Sequence, residues 1–263
     1  MRRRWDAAAA GWEAEQERLA APNAPVTEAL LAALDPRPDD TVLELAGGTG
    51  ELAAALGPRV GRLLCTDFSP AMVEAARRRG IPNAEHRVVD LRATGLPDAS
   101  FDGVVCRFGY MLVPDPGVAF IETRRVLRAG GRLAFATWAP ARRNPWATAY
   151  GPVLLERGLQ EPPQPGQPGQ FGLGEPELVE RLVRAAGFDQ VAVAEVPVEF
   201  RFRDWDDYRD VMTRLAASTR AVLEQLAEGA RAEVDDAARA RIDRFRDAGG
   251  YVLPGLALVT SAR

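Results

Sequence analysis

Short runs of apolar residues alternate with helical patterns through the first half of the chain. Five runs have the length and composition of buried strands, and three segments between them repeat apolar residues at helical spacing. The strand candidates are Thr41–Ala46, Gly61–Asp67, Ala84–Asp90, Phe101–Arg107 and Gly131–Trp138, and the helix candidates are Gly50–Leu56, Ser69–Gly80 and Gly117–Gly131. This alternation predicts an α/β fold with a parallel, doubly wound sheet, whose ligand lies beyond the carboxyl ends of the strands.

The second half of the chain is less regular. Glu161–Gln170 is rich in Pro, Gly and Gln and predicts a loop. Glu175–Phe188 predicts a helix that leads into the strand candidate Val191–Val198. Asp204–Ala248 is helical in pattern and rich in charge, and Leu256–Arg263 closes the chain as a last strand candidate.

Composition narrows the function classes. The 263 residues are 47% hydrophobic, enough for a sizeable core, and carry 33 basic against 37 acidic side chains, a net charge of −4. This balance disfavours a grip on nucleic acid phosphates. The basic residues are all arginine, so Schiff-base lysines, the P-loop lysine and the Tyr-Lys pair of short-chain dehydrogenases are excluded.

The sequence predicts neither a membrane span nor a metal site. The basic start of the chain is interrupted by Asp6 and Glu13, which disfavours a secretory signal, and no apolar run approaches bilayer length. We therefore expect a soluble, cytoplasmic protein. Cys65 and Cys106 lie in strand-like runs without metal-ligand spacing and are expected to be reduced core thiols, and His86, at the start of an edge strand, is expected to be structural.

A bare turn follows the first strand, in the stretch VLELAGGTGELA (Val42–Ala53). Gly47, Gly48 and Gly50 let a ligand approach the backbone and leave helix amides free for a negative group. The segment also fits the weak G-x-G-x-x-A dinucleotide pattern, so this motif alone does not separate the possible ligands.

Acids at the ends of the next two strands add to this pattern. Asp67 lies 17 residues after Gly50, where a carboxylate can accept hydrogen bonds from both ribose hydroxyls of NAD or of S-adenosylmethionine. Asp90 followed by Leu91 suits an adenine, which needs an acceptor for its amine and packing for its face. A hydride-transfer enzyme would still need an acid–base residue, and the usual candidates are missing.

Four consecutive blocks then resemble a known family. VLELAGGTGELA, CTDFSPAMVEAARRRG, VVDLRATGLPDASFDGVVCRFGYMLVPDP and ETRRVLRAGGRLAFATW resemble, in order and spacing, class I S-adenosylmethionine-dependent methyltransferases of the ubiquinone/menaquinone-methyltransferase type (methyltransferase type 11). The resemblance implies a Rossmann-like fold with a mostly parallel seven-stranded sheet and an antiparallel last strand. It also implies a single domain over 1–263, with a core at about 38–139, 175–200 and 251–263 and a helical cap at about 1–35, 140–174 and 201–250.

The resemblance also implies roles for individual residues in holding S-adenosylmethionine. Glu44 would lie near the methionine amino group, and Ala46, where the family usually has Gly, would stand in the loop with the three glycines. The ribose and adenine would be held at the second and third strands, and the sulfonium end flanked after the fourth. The remaining residues implied are Asp67, Phe68, Met72, Asp90 and Leu91 for the nucleoside, and Cys106, Arg107 and Phe108 for the sulfonium end.

Aromatic residues outside the core strands are candidates for the methyl acceptor. In this family such segments cover the acceptor site, where aromatic rings could bind a flat apolar molecule, although packing between cap helices is an alternative for each. The candidates are Trp5, Tyr110, Trp146, Tyr150 and Tyr208. Asn144-Pro145-Trp146 is interpreted as the start of a cap helix with Asn144 as N-cap, rather than as an amino-binding motif.

The sequence therefore favours methyl transfer to oxygen or carbon of a small aromatic, quinone-like or secondary-metabolite acceptor. Positioning about 3 to 3.5 Å from the methyl and exclusion of water would supply the rate, and no side chain is assigned as catalytic. Two alternatives stay open: a nicotinamide-dependent oxidoreductase, and a relative that binds the cofactor without methylating. No metal, nucleic acid or membrane partner is expected, and the sequence makes no prediction about oligomeric state.

Overall fold

The computed structural model describes residues 2–162 and 168–263, so Met1 and the middle of the predicted loop at 161–170 lie outside the described residues. The strands are β1 (Thr41–Glu44), β2 (Arg62–Asp67), β3 (Ala84–Val88), β4 (Phe101–Arg107), β5 (Leu127–Trp138), β6 (Ala192–Phe202), β7 (Arg246–Asp247) and β8 (Gly250–Ala262). The helices are α1 (Arg2–Leu34), α2 (Glu51–Leu56), α3 (Pro70–Arg77), α4 (Pro116–Val126), α5 (Tyr150–Glu156), α6 (Pro176–Ala185), α7 (Trp205–Leu215), α8 (Ala217–Glu224) and α9 (Glu228–Ile242).

The strands form one sheet in the order β3-β2-β1-β4-β5-β8-β6, with the two-residue β7 paired to β8. Neighbouring strands from β3 to β5 run parallel, and β8 is antiparallel to both β5 and β6. The predicted seven-stranded, mostly parallel sheet with an antiparallel last strand is confirmed. The order reverses between β1 and β4, which is the point where open α/β sheets bind ligands.

One element boundary differs from the prediction. The helical pattern Gly117–Gly131 was expected to continue to the glycines, but α4 ends at Val126 and β5 begins at Leu127. Leu127 has extended backbone angles, φ −74° and ψ 137°, and pairs with Phe101 of β4. Pairing with β4 therefore gives these residues a strand conformation, although their apolar spacing alone fits a helix.

The antiparallel part of the sheet extends past its parallel part. Trp138, the last residue of β5, pairs with Ala257 of β8, so the earlier residues of β8 continue beyond the carboxyl end of β5. β6 follows them, with Pro197 opposite Leu256 and Phe202 opposite Tyr251. This raised pair of strands forms a wall beside the carboxyl edge of the sheet. β6 also passes the expected core boundary at 200, and the division into core and cap stays a prediction.

The first half of helix α1 passes over the carboxyl edge of the sheet, and its last turns run along the sheet. Near its end, Leu34 lies against Gly103 in the first half of β4: a Cβ atom at Gly103 would be 3.0 Å from Leu34 Cδ1. Two turns earlier, Thr27 accepts a hydrogen bond from Arg107 at the end of β4. The helix contains Pro22 and Pro25 without a break. Among the described residues, no helix combines the length and apolar character needed to cross a membrane.

Candidate functional site

Glu44 ends β1 and points into the sheet edge rather than into solvent. Its side chain is 1% exposed, and its Oε2 accepts a hydrogen bond from Cys65 Sγ at 3.0 Å. Burial raises the pKa of Glu44 to about 7, against the lowering effects of the Cys65 hydrogen bond and of Arg107. A cationic ligand beside Glu44 would therefore stabilise the ionised form of this carboxylate.

The glycine turn after β1 is open where the prediction needs it to be. Gly48 has φ +56° and no heavy atom within 4 Å of the position that a Cβ atom would occupy. Gly50 has φ +80° and is the N-cap residue of α2. Gly47 is closed on one side, because a Cβ atom there would lie 2.8 Å from Glu44 Oε2. Ala46 has φ +53°, a conformation that favours glycine.

Asp67 at the end of β2 is held ready by backbone amides. Its Oδ2 accepts from the Gly48 amide at 3.0 Å, and its Oδ1 accepts from the Ser69 amide at 2.8 Å. Burial raises the pKa of Asp67, and these amides oppose the rise. The carboxylate therefore joins the glycine turn to the start of α3, as the predicted ribose site requires.

The residues predicted to hold the adenine follow β2 and β3 in the chain. Phe68 follows Asp67, and the Arg2 guanidinium lies 4.7 Å from its ring centroid, while Met72 and Leu91 are buried. Asp90 differs from the expectation of a free acceptor, because Arg92 donates to both of its carboxylate oxygens, at 2.7 and 3.1 Å. A carboxylate offers about four acceptor positions, so an amine could share it.

The loops after β1 and β4 interlock at Gly109, a residue that the sequence did not single out. A Cβ atom at Gly109 would lie 2.5 Å from Ala46 Cβ and 2.6 Å from Cys106 Sγ. Cys106 is fully buried, which raises the pKa of its thiol to about 12. Leu91 Cδ2 lies 3.8 Å from the same position, so three loops meet here.

Arg107 and Phe108, expected at the sulfonium end, are both tied to neighbours. Arg107 donates to both carboxylate oxygens of Glu51, at 2.8 and 3.1 Å, so its charge is balanced where a cation would come close. Phe108 has φ +64° and stacks on Trp138 at 4.2 Å between centroids.

The first half of α1 contacts the same loops from above. Asp6 accepts from the Ser69 hydroxyl at 2.5 Å, and Gln16 accepts from Arg79, which also donates to the Thr49 carbonyl in the glycine turn. The sequence placed α1 in the cap but gave no signal for these partners, since a polar residue on a helix does not reveal what it faces.

A cleft of about 630 Å³ opens beside this edge, between α1, α7 and the raised strand pair β6–β8. Its walls are mostly apolar and include prolines and aromatic rings. Arg18 at its rim is paired with Asp207, and Arg201 with Glu199. The lining includes Leu19, Ala21, Pro22, Pro25, Trp146, Val198, Phe200, Phe202, Met212, Leu215, Pro254 and Gly255.

The structure separates the aromatic acceptor candidates. Trp146 lines the cleft, stacked on Phe200 at 4.0 Å, and contacts Trp138, which stacks on Phe108. Tyr110 was expected near the sulfonium end, but it is fully buried with its hydroxyl 2.6 Å from Thr123 Oγ1. A 3₁₀ turn at 110–112 directs it into the core, so we leave it out of the acceptor site.

The other three candidates do not line the cleft. Tyr150 is buried and donates to Asp235 of α9, and Tyr208 is buried and donates to the Trp146 carbonyl. Both hydroxyls hold helices together. Trp5 on α1 is partly exposed, with its ring 6.2 Å from that of Trp12.

Asn144 has a different role from the predicted N-cap. No side-chain cap forms, Pro145–Ala147 is a single 3₁₀ turn, and α5 begins only at Tyr150. Instead the carboxamide bridges to β8, donating to the Leu256 carbonyl and accepting from the Leu256 amide and from the Trp146 indole. Its Oδ1, the atom that would accept from an amino group, already accepts two hydrogen bonds, so an amino-binding role is also excluded. Asn144 fixes the indole that lines the cleft.

The chemistry of the site suits a ligand that combines a cation with a nucleoside. Two carboxylates, an open glycine turn and apolar faces surround the reversal point of the sheet. Across residues 2–162 and 168–263, no group of three or more His, Cys, Asp and Glu side chains could hold a metal ion.

Comparisons with known proteins agree with this geometry. Residues 43–135 match the family described as Methyltransferase domain. Methyltransferase tpcH of Aspergillus fumigatus is 34% identical over 140 residues, covering 49% of this chain and 48% of that protein. Demethylmenaquinone methyltransferase of Mycobacterium sp. strain KMS is 33% identical over 177 residues, covering 61% and 72%.

A solved structure extends the likeness to nearly the whole chain. A Haloferax volcanii methyltransferase in complex with the Trm112 activator superposes with a TM-score of 0.61 at 20% identity, covering 99% of this chain and 96% of that one, which shows the fold alone. The chain spans about half the length of several curated relatives. Because the match at 43–135 contains the loops of the site and the Mycobacterium relative is covered over 72% of its length, the chain belongs to the class I S-adenosylmethionine-dependent methyltransferases.

Proposed function

We propose that this protein transfers the methyl group of S-adenosylmethionine to a small-molecule acceptor. The observation that carries the proposal is the pair of carboxylates on either side of the open turn at Gly48, buried Glu44 and half-buried Asp67. A ligand with an ammonium group at one end and ribose hydroxyls at the other matches these two acceptors. The cofactor supplies a methyl group on an activated sulfonium leaving group.

The residues of this chain bind and orient. Glu44 holds the ammonium, Asp67 accepts from the ribose hydroxyls, and Gly48 lets the backbone approach. Asp90, shared with Arg92, and buried Leu91 take the adenine. Arg107, neutralised by Glu51, adds no net charge beside a sulfonium.

The acceptor's apolar body binds in the cleft between α1, α7 and the strand pair β6–β8. Its volume is within the usual range for small-molecule sites, about 300–1,000 Å³. Arg18 and Arg201 at the rim are each paired with an acid, which favours an uncharged molecule over an anion. The ring series Phe108–Trp138–Trp146 joins the cofactor end to the cleft and favours an aromatic or quinone-like acceptor methylated on oxygen or carbon.

The cofactor assignment is tested by calorimetric titration with S-adenosylmethionine, S-adenosylhomocysteine and NAD. We expect micromolar binding of both adenosyl ligands and none of NAD. NAD binding would favour the oxidoreductase alternative instead. Mass-spectrometric detection of S-adenosylhomocysteine with an acceptor mixture would then separate a methyltransferase from a relative that only binds the cofactor.

The assignment of the cleft as the acceptor site is tested by placing a large side chain in it. Ala21 lines the cleft from α1, and Ala24 is exposed on the same helix but outside the lining. We expect Ala21→Trp to lower kcat/KM for an accepted substrate about tenfold or more, with unchanged S-adenosylhomocysteine affinity, because the indole occupies the site. Ala24→Trp should have little effect. Equal loss in both variants would contradict the cleft as acceptor site.

A further inference from the structure

The cleft continues into a smaller pocket at the end where Arg18 lies. This pocket has a volume of about 180 Å³ and shares Arg18, Arg201 and Phe202 with the cleft. Beyond these shared residues its lining becomes polar, with Arg203 and Asp247, whereas the cleft is lined mainly by apolar side chains. A molecule that fills the cleft therefore meets polar groups at one end.

The register of β6 and β8 shows that this polar end lies far from the cofactor. Gly255 pairs with Val198, and a Cβ atom at Gly255 would be 2.7 Å from Trp146 Cδ1, in the ring series that joins the cleft to the cofactor end. Phe202 is four residues further along β6, a distance of about 13 Å at the usual rise of a strand. An acceptor whose reacting atom faces the cofactor would thus reach the polar pocket with its opposite end.

Arg18 is on the side of α1 that faces the cleft. Ala21, Pro22 and Pro25 all line the cleft, and their spacing of three, four and seven residues from Arg18 places all four on one helix face. The Arg18 guanidinium lies 5.7 Å from the centroid of the Phe202 ring, which lines both the cleft and the smaller pocket. The charged group of Arg18 therefore lies at the junction of the two spaces.

A buried carboxylate holds Arg18 in this position. Asp207 accepts a hydrogen bond from Arg18 Nη2 and also from the backbone amide and the guanidinium of Arg203, at 2.9 and 3.0 Å. The Asp207 side chain is 3% exposed, whereas the Arg18 side chain is 33% exposed. Within the part of the chain that the structure describes, Asp207 is the one hydrogen-bond partner of Arg18, which leaves most of the five N–H donors of the guanidinium for a ligand.

The three arginines at the polar end are matched by three acids. Asp207 pairs with two of them, Glu199 pairs with Arg201, and Asp247 lines the pocket itself. An anion would therefore gain little net attraction, whereas an uncharged oxygen can accept a hydrogen bond from a guanidinium without displacing an acid. A carbonyl oxygen suits this place, because it accepts hydrogen bonds and has no proton of its own that needs a partner.

We propose that Arg18 is a specificity-determining residue that donates a hydrogen bond to a carbonyl oxygen of the methyl acceptor. This inference rests on the proposed function and adds a chemical class to it: an uncharged, elongated acceptor with its carbonyl at the end opposite to the methylated atom. The apolar body lies along β6 and β8 in the cleft, and the carbonyl oxygen meets the donors of Arg18. Because the guanidinium is charged, this hydrogen bond is stronger than one between neutral groups.

The test compares three probes that share a biphenyl body with a hydroxyl group at one end and differ at the other end. The probes are 4-acetyl-4′-hydroxybiphenyl, 4-ethyl-4′-hydroxybiphenyl and 4′-hydroxybiphenyl-4-carboxylate. In calorimetric titrations with saturating S-adenosylhomocysteine, wild-type protein should bind the acetyl probe about tenfold more tightly than the ethyl probe, because only the acetyl group accepts the charged hydrogen bond. The carboxylate should bind no more tightly than the acetyl probe, and tighter binding would overturn the uncharged class.

Variants of Arg18 separate recognition of the acceptor from support of α1. Arg18→Met keeps an apolar stem without a donor, so it should bind the acetyl and ethyl probes equally. Arg18→Gln, which can still donate to Asp207, is the milder change and should lose most of the preference, because its amide is shorter and uncharged. Arg78→Met removes a different ion pair of α1, with Glu13, outside the cleft lining, and should keep the preference.

The ratio of the two affinities distinguishes the outcomes. A merely supporting role of Arg18 would weaken both probes together and leave their ratio unchanged, so a preference retained in the Arg18 variants would overturn the proposal. So would a wild-type protein that binds the acetyl and ethyl probes equally or binds neither.

Failure of this proposal and failure of the proposed function give different results. A wild-type protein that binds no adenosyl ligand would refute the proposed function, and titration of the acetyl and ethyl probes into the cofactor-free protein would still show whether Arg18 selects a carbonyl. Normal cofactor binding with equal affinity for the two probes would overturn the carbonyl assignment alone.

Discussion

The sheet edge and the helix above it differ in how far the chain itself satisfies their polar groups. At the edge, Glu44 is bonded to Cys65, and Asp67 is bonded to the amides of Gly48 and Ser69. On α1, Trp12 and Asn23 present polar atoms that no other described residue meets. The edge is preorganised by its own chain, whereas the helix leaves these two polar atoms unpaired within the described residues.

This difference separates a general task from a particular one. A preorganised edge costs no rearrangement on binding and suits a cofactor that is the same in every turnover. The side of α1 that lines the cleft contacts the acceptor in the proposed function, so its side chains decide which acceptors fit. Changes at the edge should therefore alter cofactor affinity, and changes on the helix should alter acceptor choice.

The largest expected effect is the loss of Asp67. Asp67→Ala removes both charge-assisted bonds to the ribose and frees the Gly48 amide, so the affinity for S-adenosylhomocysteine should fall about 100-fold or more. Calorimetry measures it, with Asp39→Ala, an exposed acid at the opposite edge, as the control. Unchanged affinity in Asp67→Ala would remove the basis for a prepared edge.

A smaller effect, set by pH, is expected at Glu44. Its pKa of about 7 means that the carboxylate that binds an ammonium is lost as the pH falls, so affinity for S-adenosylhomocysteine should drop about tenfold from pH 8 to pH 6. Glu44→Gln should bind weakly with no such dependence. A wild-type affinity that is flat across this range would contradict a buried carboxylate at the ammonium.

The raised pKa of Glu44 also affects stability, and this effect has the opposite dependence on pH. Between the ordinary pKa of 4.5 and the raised value of about 7, the folded protein holds a proton on Glu44 that the unfolded chain has released. The free energy of unfolding of the unliganded protein should therefore decrease as the pH rises through this window. Denaturant titrations of wild type and Glu44→Gln measure this pH dependence, and the slopes of the two proteins should differ inside the window and agree above and below it.

The two regions also differ in how far the sequence predicts them. The alternation of strands and helices, the turn at Gly48 and the place of Asp67 at the end of a strand follow from local spacing, because a strand, a turn and a helix that are adjacent in sequence form the site. Asn144 does not, since its partner at Leu256 is 112 residues away. Asn23 carried only a weak signal, a polar residue at helical spacing between Leu19 and Leu30, whose burial shows only in the fold.

The smallest effect is expected where the loops after β1 and β4 interlock. Ala46→Gly relieves the strain of φ +53° but gives the unfolded chain more freedom, and each amounts to about 1 kcal/mol. The two changes oppose each other, so the free energy of unfolding should shift by less than about 1 kcal/mol. Urea denaturation measures it, and cofactor affinity should stay within about threefold.

A glycine-to-alanine change at Gly109 tests whether the tolerance expected at Ala46 extends to the rest of the interlocked loops. Gly109→Ala places a methyl 2.5 Å from Ala46 Cβ and 2.6 Å from Cys106 Sγ, so it should cost about 1–3 kcal/mol. Combining it with Ala46→Gly removes the first clash and keeps the second, so the double variant should recover part of that loss. A strictly additive result would show that the loops move independently and that the edge is less rigid than its hydrogen bonds imply.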